Sequence, residues 1–203
     1  MGLICAPSCV KTNKPKVGYT NSCGNKRAPG GIPRLLFLIC DPDYVHPVPV
    51  APGVSPWTVP ANVKAAMCAG LLNFTGPVLG EKPASTTVKK QMSSCNAEEI
   101  TGGSTVINFQ DYNVTTDEDG NPSLEEFDFW DWVKQNYQYL LFGWVTCDEL
   151  MYLYDGSFVP EVSGIIENTN TGNRYYGGAI TMPIYDEIKP VRVPGILSQL
   201  AAF

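Results

Sequence analysis

Short stretches in which apolar and polar residues alternate predict that this chain is built mainly from strands. The clearest stretch is 105–109, where Thr105, Ile107 and Phe109 fall on one face at a period of two. Residues 86–95 alternate more weakly, which is typical of an exposed strand. Further strands are predicted at 35–40, 139–147, 150–154, 158–166 and 174–184.

The stretch 139–147 differs from the others because both of its alternating sets are apolar. One set comprises Tyr139, Leu141 and Val145, and the other comprises Leu140, Phe142 and Trp144. A strand that is apolar on both faces is covered on both sides. Residues 155–156 and 170–172 carry turn sequences that join the strands on either side of them, and several antiparallel strands are expected in this part of the chain.

One helix is predicted between these strands, at about 124–137. Ser123 supplies a hydroxyl at the expected N-cap, and Glu126 follows three residues later, the spacing at which both side chains satisfy N–H groups of a helix start. An apolar stripe at three- and four-residue steps is formed by Phe127, Trp130, Val133 and Tyr137. This stripe predicts a helix that packs on a sheet.

These elements predict a mainly β protein: an antiparallel β-sandwich or barrel with one flanking helix and extended N- and C-terminal arms. The chain has 203 residues, enough for a sizeable core, and its 19 glycines and 17 prolines agree with long connections. The body is expected at 35–187, with a basic, cysteine-containing arm at 1–34 and a second arm at 188–203. Six prolines keep 41–60 out of a sheet interior, and 61–74 fits either a short helix or a strand.

Charge is divided unevenly between the start of the chain and the remainder. Residues 1–40 carry six basic and no acidic side chains, whereas the remainder has a net charge of −12, giving −6 for the whole chain. A basic segment and an acidic body on one chain are complementary between neighbouring copies. The candidate contact residues between copies are Lys11, Lys14, Lys16, Lys26, Arg27 and Arg34.

Acidic residues dominate the middle and later part of the chain, with 15 acids against one base in 91–173. This composition is not suited to nucleic-acid readout, because a phosphate-binding surface needs lysine and arginine. A solvated acidic surface is the plain interpretation of this composition. The acids proposed for this surface are Asp117, Glu118, Asp119, Asp148, Glu149, Asp155 and Glu161.

The seven cysteines allow three interpretations. Four could ligate zinc as thiolates, although their spacing contains no Cys-x2-Cys knuckle: Cys5, Cys9, Cys23 and Cys40. Disulfides in an oxidised particle and ordinary buried thiols are the alternatives. We predict no metal and no cofactor, and the other three cysteines are expected to pack in the body: Cys68, Cys95 and Cys147.

No set of residues predicts an enzyme. His46 is the one histidine and has no visible catalytic partner, and the phosphate-loop, zinc-protease and dinucleotide-binding motifs are absent. Residues 115–126 match a calcium loop in part, since Asp117 and Asp119 fall at ligand positions, but the first position lacks an aspartate and a plain acidic turn is preferred. No apolar run is long enough to span a bilayer, so no membrane partner is predicted.

The segment 103–112, the predicted helix and the strands that follow to 184 resemble the tail tube proteins of tailed bacteriophages, which are related to the tubes of contractile injection systems. The resemblance covers about residues 86–195 and is one of element order: strand, crossover helix, antiparallel strands, glycine-rich hairpin and C-terminal arm. It implies a structural virion protein, assembled in the host cytoplasm, whose copies form rings that stack into a tube. It also implies contacts with other virion proteins and an electronegative channel through which DNA passes without specific binding.

Two other roles fit parts of the sequence. The cysteine-containing arm and the proline-rich excursion depart from the tail-tube pattern, which leaves open a capsid decoration or head-to-tail connector protein. A binding module stapled by disulfides or zinc is the alternative of a different class. Such a module would use exposed aromatic residues, for example Tyr175 and Tyr176, to bind carbohydrate.

Overall fold

The structure, a computed structural model, describes residues 31–40, 56–91, 98–113, 125–166 and 174–201. Within these ranges the strands are β1 (Arg34–Ile39), β2 (Leu72–Phe74), β3 (Val78–Glu81), β4 (Thr86–Gln91), β5 (Glu98–Asp111), β6 (Leu140–Val145), β7 (Leu150–Tyr154), β8 (Val159–Ile166), β9 (Arg174–Met182) and β10 (Val191–Arg192). The helices are α1 (Pro60–Cys68), α2 (Glu125–Asn136) and α3 (Ile196–Ala201), with short 3-10 turns at Pro56–Thr58 and Tyr137–Tyr139.

The described strands form two antiparallel sheets. The first has the order β10-β7-β6-β1-β2, and the second has the order β3-β5-β9-β8, with β4 added to β5. All of the strand pairs in these two sheets are antiparallel. The fold is therefore mainly β with a sandwich-like arrangement, which confirms the predicted fold class.

Aromatic side chains from both sheets and from α2 meet in the core. Phe37 of β1 lies beside Phe142 on the paired strand β6, with ring centroids 5.7 Å apart. Trp130 of α2 contacts Phe37 edge-on at 6.0 Å and stacks on Phe109 of β5 at 4.8 Å, so one helix side chain joins the two sheets. Burying these rings stabilises the fold strongly, because each removes a large apolar area from water.

Strands β1 and β6 are buried along their whole length. They pair in the middle of the first sheet, with β2 and β7 on their outer sides. The prediction of a strand at 139–147 that is covered on both faces is thereby confirmed. In β5, Thr105, Ile107 and Phe109 are buried on one face, as their period of two predicted.

Helix α2 confirms the predicted helix but presents a different face to the core. Its buried residues are Glu126, Phe129, Trp130 and Val133. Phe127, which the predicted stripe included, is 50% exposed, and Tyr137 is also exposed. The sequence holds two overlapping apolar stripes, and the contacts with both sheets select the one that contains Phe129. The predicted N-cap Ser123 lies outside the described residues.

The C-terminal segment packs on the body and is not the extended arm that we predicted for 188–203. Strand β10 pairs with β7, and α3 buries Ile196 and Leu200 completely. The segment is fixed at one turn, since the backbone N–H of Val193 donates to the carbonyl of Glu149 at 3.1 Å. The sequence did not reveal this packing because elements of two and six residues are too short to give a periodic signal.

Four other predicted segments fall at least partly within the described ranges. Residues 61–74, which fitted either a helix or a strand, contain both, because most of α1 is followed there by β2. The exposed strand predicted at 86–95 is confirmed over residues 86–91 by β4, whose residues are all exposed, and residues 92–95 lie outside the described residues. The predicted basic arm before residue 31 and the proline-rich excursion up to residue 55 lie outside the described residues, whereas Trp57 at the end of the excursion is buried.

Candidate functional site

Strand β5 is the most unusual element, because only half of it lies in the second sheet. It has 14 residues, which corresponds to about 48 Å, whereas most strands have roughly three to ten. Residues 105–111 pair with β9, and β3 pairs with the last four of them. The first half extends beyond both neighbours and pairs with β4. We call this two-stranded extension, residues 86–91 and 98–104, the ribbon.

The ribbon exposes apolar side chains to solvent. Val88 on β4 is 60% exposed and Ile100 on β5 is 43% exposed. An isolated two-stranded ribbon is marginally stable in water, and strand edges present N–H and C=O groups that pair readily with another strand. In the part of the chain that the structure describes, no third strand pairs with the ribbon. The ribbon is therefore a candidate contact surface for another chain.

Contacts at its base hold the ribbon in a fixed direction. The Thr105 hydroxyl donates to the carbonyl of Ile184 at 2.7 Å and lies 2.7 Å from the Ser85 hydroxyl. The side chain of Tyr185 packs over Gly103, where an added Cβ atom would lie 2.6 Å from the Tyr185 Cβ atom. The ribbon is thus braced by the segment that follows β9 and continues the sheet in a defined direction.

A cleft of about 990 Å³ crosses the other end of the second sheet. Its volume is at the upper end of the range that is typical of small-molecule sites. Among the described residues, no lysine or arginine lines it. The side chains and backbone that face it from neighbouring strands include Ile165 of β8, Tyr175 and Gly177 of β9, Asn108 and Gln110 of β5, and Glu81 of β3.

Aromatic and amide side chains form the polar part of this cleft. The rings of Tyr112 and Tyr175 have centroids 4.7 Å apart, with 31° between their planes. The Tyr112 hydroxyl donates to Gln110 Oε1 at 3.2 Å, and the Asn108 amide donates to Glu81 Oε1 at 3.3 Å. An asparagine or glutamine amide has two N–H donors and a carbonyl acceptor, so each can bind a ligand as well.

A buried carboxylate joins the end of β5 to α2. Asp111 accepts hydrogen bonds from Trp130 Nε1 at 3.1 Å and from the Asn113 backbone N–H at 3.1 Å, and Asn113 Nδ2 also donates to it. Burial raises the pKa of Asp111 above its usual 3.8, while the hydrogen bonds from Asn113 and Trp130 and the charge of Arg34 act in the opposite direction. This carboxylate is a structural link between the helix and the strand.

The structure places Arg34 in the core, which corrects its prediction as a contact between copies. Its guanidinium donates to the Thr75 carbonyl at 2.8 Å and lies 5.9 Å from the centre of the Phe74 ring. A buried arginine is tolerated when hydrogen bonds and ring contacts offset the loss of its hydration. The other five predicted contact residues lie outside the described chain: Lys11, Lys14, Lys16, Lys26 and Arg27.

Four of the seven predicted acidic residues are described, and they lie at three separate places. Asp148 and Glu149 lie in the turn between β6 and β7. Asp155 lies at the other end of β7, and Glu161 lies on β8 in the second sheet. The structure therefore does not bring these four together on one face. The other three lie outside the described residues: Asp117, Glu118 and Asp119.

Glu149, which we predicted for the acidic surface, is half-buried and has a structural role. Its backbone φ is 64°, which is uncommon for a residue other than glycine. Its carboxylate accepts a hydrogen bond from the Gly195 N–H at 2.9 Å, and its carbonyl accepts one from Val193. Glu149 therefore fastens the C-terminal segment to the β6-β7 turn.

The described cysteines and acids form no group of three or more that could hold a metal ion. Cys40 is buried and Cys147 is partly buried, whereas Cys68 is exposed, which corrects the expectation that it packs in the body. Glu126, at the last position of the partial calcium-loop match, is buried in α2. Five other residues considered for metal binding, packing or catalysis lie outside the described chain: Cys5, Cys9, Cys23, Cys95 and His46.

The sequence pointed to only one residue of the cleft. Tyr175, named as an exposed aromatic residue, lines it, but Tyr176 is buried and that part of the prediction was wrong. The ribbon and the cleft as surfaces were not identified. One sequence signal could have indicated the cleft. Asn108 and Gln110 alternate with buried neighbours along β5, so their side chains point away from the core.

Three comparisons with known proteins identified no similar protein. A scan against protein-family models finds no match, and searches of curated proteins and of solved structures return none either. None of the described helices is long and apolar enough to cross a membrane. Function is therefore inferred from the fold, the ribbon and the cleft.

Proposed function

We propose that this protein is a structural subunit of a phage particle, which assembles with copies of itself into stacked rings that form a tail tube. The observation that carries the proposal is the ribbon. It offers two different edges, because β4 lies on one side and residues 98–104 of β5 lie on the other. When the β4 edge of one copy pairs with the β5 edge of the next, each copy repeats the same contact.

Head-to-tail contacts of this kind close into a ring when the rotation from copy to copy permits it. A closed ring of ribbons is a barrel of strands, and a barrel leaves no edge open for aggregation. Val88 and Ile100 would lose exposed apolar area at the new strand pairs, which adds to the hydrogen bonds between the strands. A second copy of the chain thus accounts for an apolar ribbon that projects from the sheet.

The acidic composition of the chain is what supports the passage of DNA through such a tube. The chain has a net charge of −6, and residues 91–173 have 15 acidic side chains against one basic side chain. A wall of negative charge repels phosphates and keeps DNA from binding as it passes. The basic residues before position 31 are proposed to contact the acidic body of a neighbouring copy, and salt should weaken that contact.

Negative-stain electron microscopy and light scattering of the concentrated protein test the proposal. We expect rings or tubes for the natural sequence and monomers for Val88→Asp, because a carboxylate at a strand pair buried between copies is costly. The expected loss is about 2 kcal/mol or more, roughly thirtyfold in affinity. Val159→Asp is the matched control, since Val159 is a 49% exposed valine on β8, away from the ribbon.

Both variants should keep the circular dichroism of the natural protein, because exposed substitutions have small effects on stability. Monomers at every protein and salt concentration would contradict self-assembly. If Val88→Asp assembled with the affinity of the natural protein, self-assembly would be supported, but the proposal that the ribbon mediates it would be contradicted. Single rings that do not stack would indicate a head-to-tail connector instead of a tube.

A further inference from the structure

We infer that the cleft on the second sheet is a binding site for a neutral oligosaccharide. This site is independent of ring assembly, because the cleft and the ribbon lie at opposite ends of β5. Gln110 in the cleft is six residues from Ser104, the last residue of the ribbon, which corresponds to about 20 Å along a strand. The two surfaces can therefore be occupied and tested separately.

The cleft runs across the strands and not along one of them. Its lining passes in order from β8 to β9, β5 and β3 and ends at Ile32, which forms a bridge with Gly80 of β3. With neighbouring strands about 4.8 Å apart, these four steps give a length of about 19 Å. A site of this length suits an extended chain of sugar rings better than one small metabolite.

The edge of β3 is closed to an added peptide strand at this point. The backbones of Ile32 and Gly80 exchange two hydrogen bonds, of 3.2 and 3.1 Å. A peptide that extends a sheet binds mainly through main-chain hydrogen bonds along an open edge. The cleft instead presents side chains on a sheet face, so its ligand must be held by ring contacts and side-chain hydrogen bonds.

The lining has the chemistry that a polyhydroxyl ligand needs. Tyr175 lies low against the sheet because residue 177 is glycine, and a Cβ atom there would be 3.2 Å from the Tyr175 ring. Its ring lies against that of Tyr112, with centroids 4.7 Å apart, so the outer face of the pair is the aromatic surface on which the C–H face of a sugar ring can pack. Sugar hydroxyls both donate and accept hydrogen bonds, as do the amides of Asn108 and Gln110.

The nearly uncharged lining of the cleft favours a neutral ligand. Glu81 is the one charged residue among the described residues that line the cleft. Phosphorylated or sulfated ligands and nucleic acids are bound through lysine and arginine, and the described part of the lining contains neither. A single carboxylate beside an amide accepts hydrogen bonds from hydroxyl groups, which a neutral oligosaccharide supplies along its whole length.

A glycan array probed with the full-length chain, followed by calorimetric titration with cellohexaose, maltohexaose, chitohexaose and a linear mannan, tests this inference. We expect at least one of these neutral glycans to bind. Tyr112→Ala and Tyr175→Ala should each weaken that binding by about tenfold, because each removes part of the aromatic surface. Tyr137→Ala is the matched control: Tyr137 is 37% exposed against 38% for Tyr112, and it also contacts one aromatic ring.

Asn108→Ala is a second cleft variant, and it keeps the test decisive if a tyrosine variant fails to fold. The inference is overturned if none of the neutral glycans binds, if only anionic glycans bind, or if the cleft variants bind as tightly as Tyr137→Ala. A peptide library that yields a ligand lost in Tyr175→Ala, without glycan binding, would assign the cleft to peptides and overturn it too. Glycan binding by the Val88→Asp protein would support the site even where assembly fails.

Discussion

The two halves of β5 place one continuous strand in opposite environments. In the second half, Ile107 is fully buried and Phe109 stacks on Trp130 of α2. In the first half, Ile100 is largely exposed and its strand pairs with β4 beyond the sheet. Both halves form antiparallel pairs, so strand pairing alone does not distinguish them. The difference is whether a second layer covers the strand.

This difference separates the residues that fold the chain from those that are open to a partner. Residues 105–111 have β9 on one side and α2 against their inner face, and burial of their side chains stabilises the fold. Residues 98–104 have no such layer in the described chain, and a two-stranded ribbon contributes little stability alone. Among the described residues no layer covers its apolar side chains, so they contribute to stability only when a further segment or another chain covers them.

The largest effect is expected from shortening the same side chain in the two halves. Ile107→Ala should lower the free energy of unfolding by about 2–5 kcal/mol, because it leaves a cavity at a fully buried position. Ile100→Ala should change it by less than about 0.5 kcal/mol, since that side chain already contacts water. Urea unfolding in the Val88→Asp background measures both without a contribution from assembly. Equal losses would mean that the ribbon belongs to the core.

A smaller effect is expected from adding one methyl group beside each half. Gly178 pairs with Phe109, and an added Cβ atom there would lie 1.8 Å from the carbonyl oxygen of Glu161 on β8. Gly178→Ala should therefore lower the free energy of unfolding by about 1–3 kcal/mol, because strand β8 must shift and because a side chain is strained at the Gly178 φ of 158°. Gly102→Ala in the ribbon is the control, since no described atom beyond its two chain neighbours lies within 4 Å of its Cβ position.

Urea unfolding curves of these two glycine variants test the close backbone contact between β8 and β9 at Gly178. Gly102→Ala should leave the free energy of unfolding unchanged or raise it by up to about 1 kcal/mol, because alanine restricts the unfolded chain. A loss at Gly102 equal to that at Gly178 would show that the cost comes from the residue type and not from the close approach.

The sequence predicted the buried half of β5 far better than the ribbon. Burial on one face imposes a period of two, and Thr105, Ile107 and Phe109 show it clearly. In the ribbon, Gly102, Gly103 and Ser104 show no alternation, because no core layer requires it. The exposed strand at 86–95 was still predicted, but nothing local indicated that it projects beyond the sheet.

The residues that were wrongly placed depend on contacts between distant segments. Arg34 was expected at the surface because it is charged, yet its carbonyl partner on Thr75 lies 41 residues away in the chain. The cleft likewise joins Glu81, Asn108 and Tyr175 from three strands that meet only when the second sheet forms. Local periodicity carries no information on contacts between strands that are distant in the sequence, which is why the cleft was not predicted.

The smallest effect is expected at Asp111, the last residue of β5, where burial and hydrogen bonding act on one carboxylate in opposite directions. Its pKa is raised in the folded protein, so the folded state holds the proton more tightly than the unfolded state. The free energy of unfolding should therefore fall as the pH rises from 3.8 through the raised pKa, and stay level above it. Asp111→Asn removes this titration, so the stability of the natural protein relative to the variant should decline with rising pH.

Urea unfolding of both proteins over a series of pH values measures this difference, and subtraction cancels the titration of the groups that they share. Asparagine keeps the shape, and its carbonyl oxygen can still accept the Trp130 N–H. The opposite result would be a stability of the natural protein, relative to the variant, that increases with pH. It would mean that the hydrogen bonds from Asn113 and Trp130 lower the pKa of Asp111 by more than burial raises it. Ionised Asp111 would then stabilise the buried half of β5, and an NMR titration of its carboxyl carbon would give a pKa below 3.8.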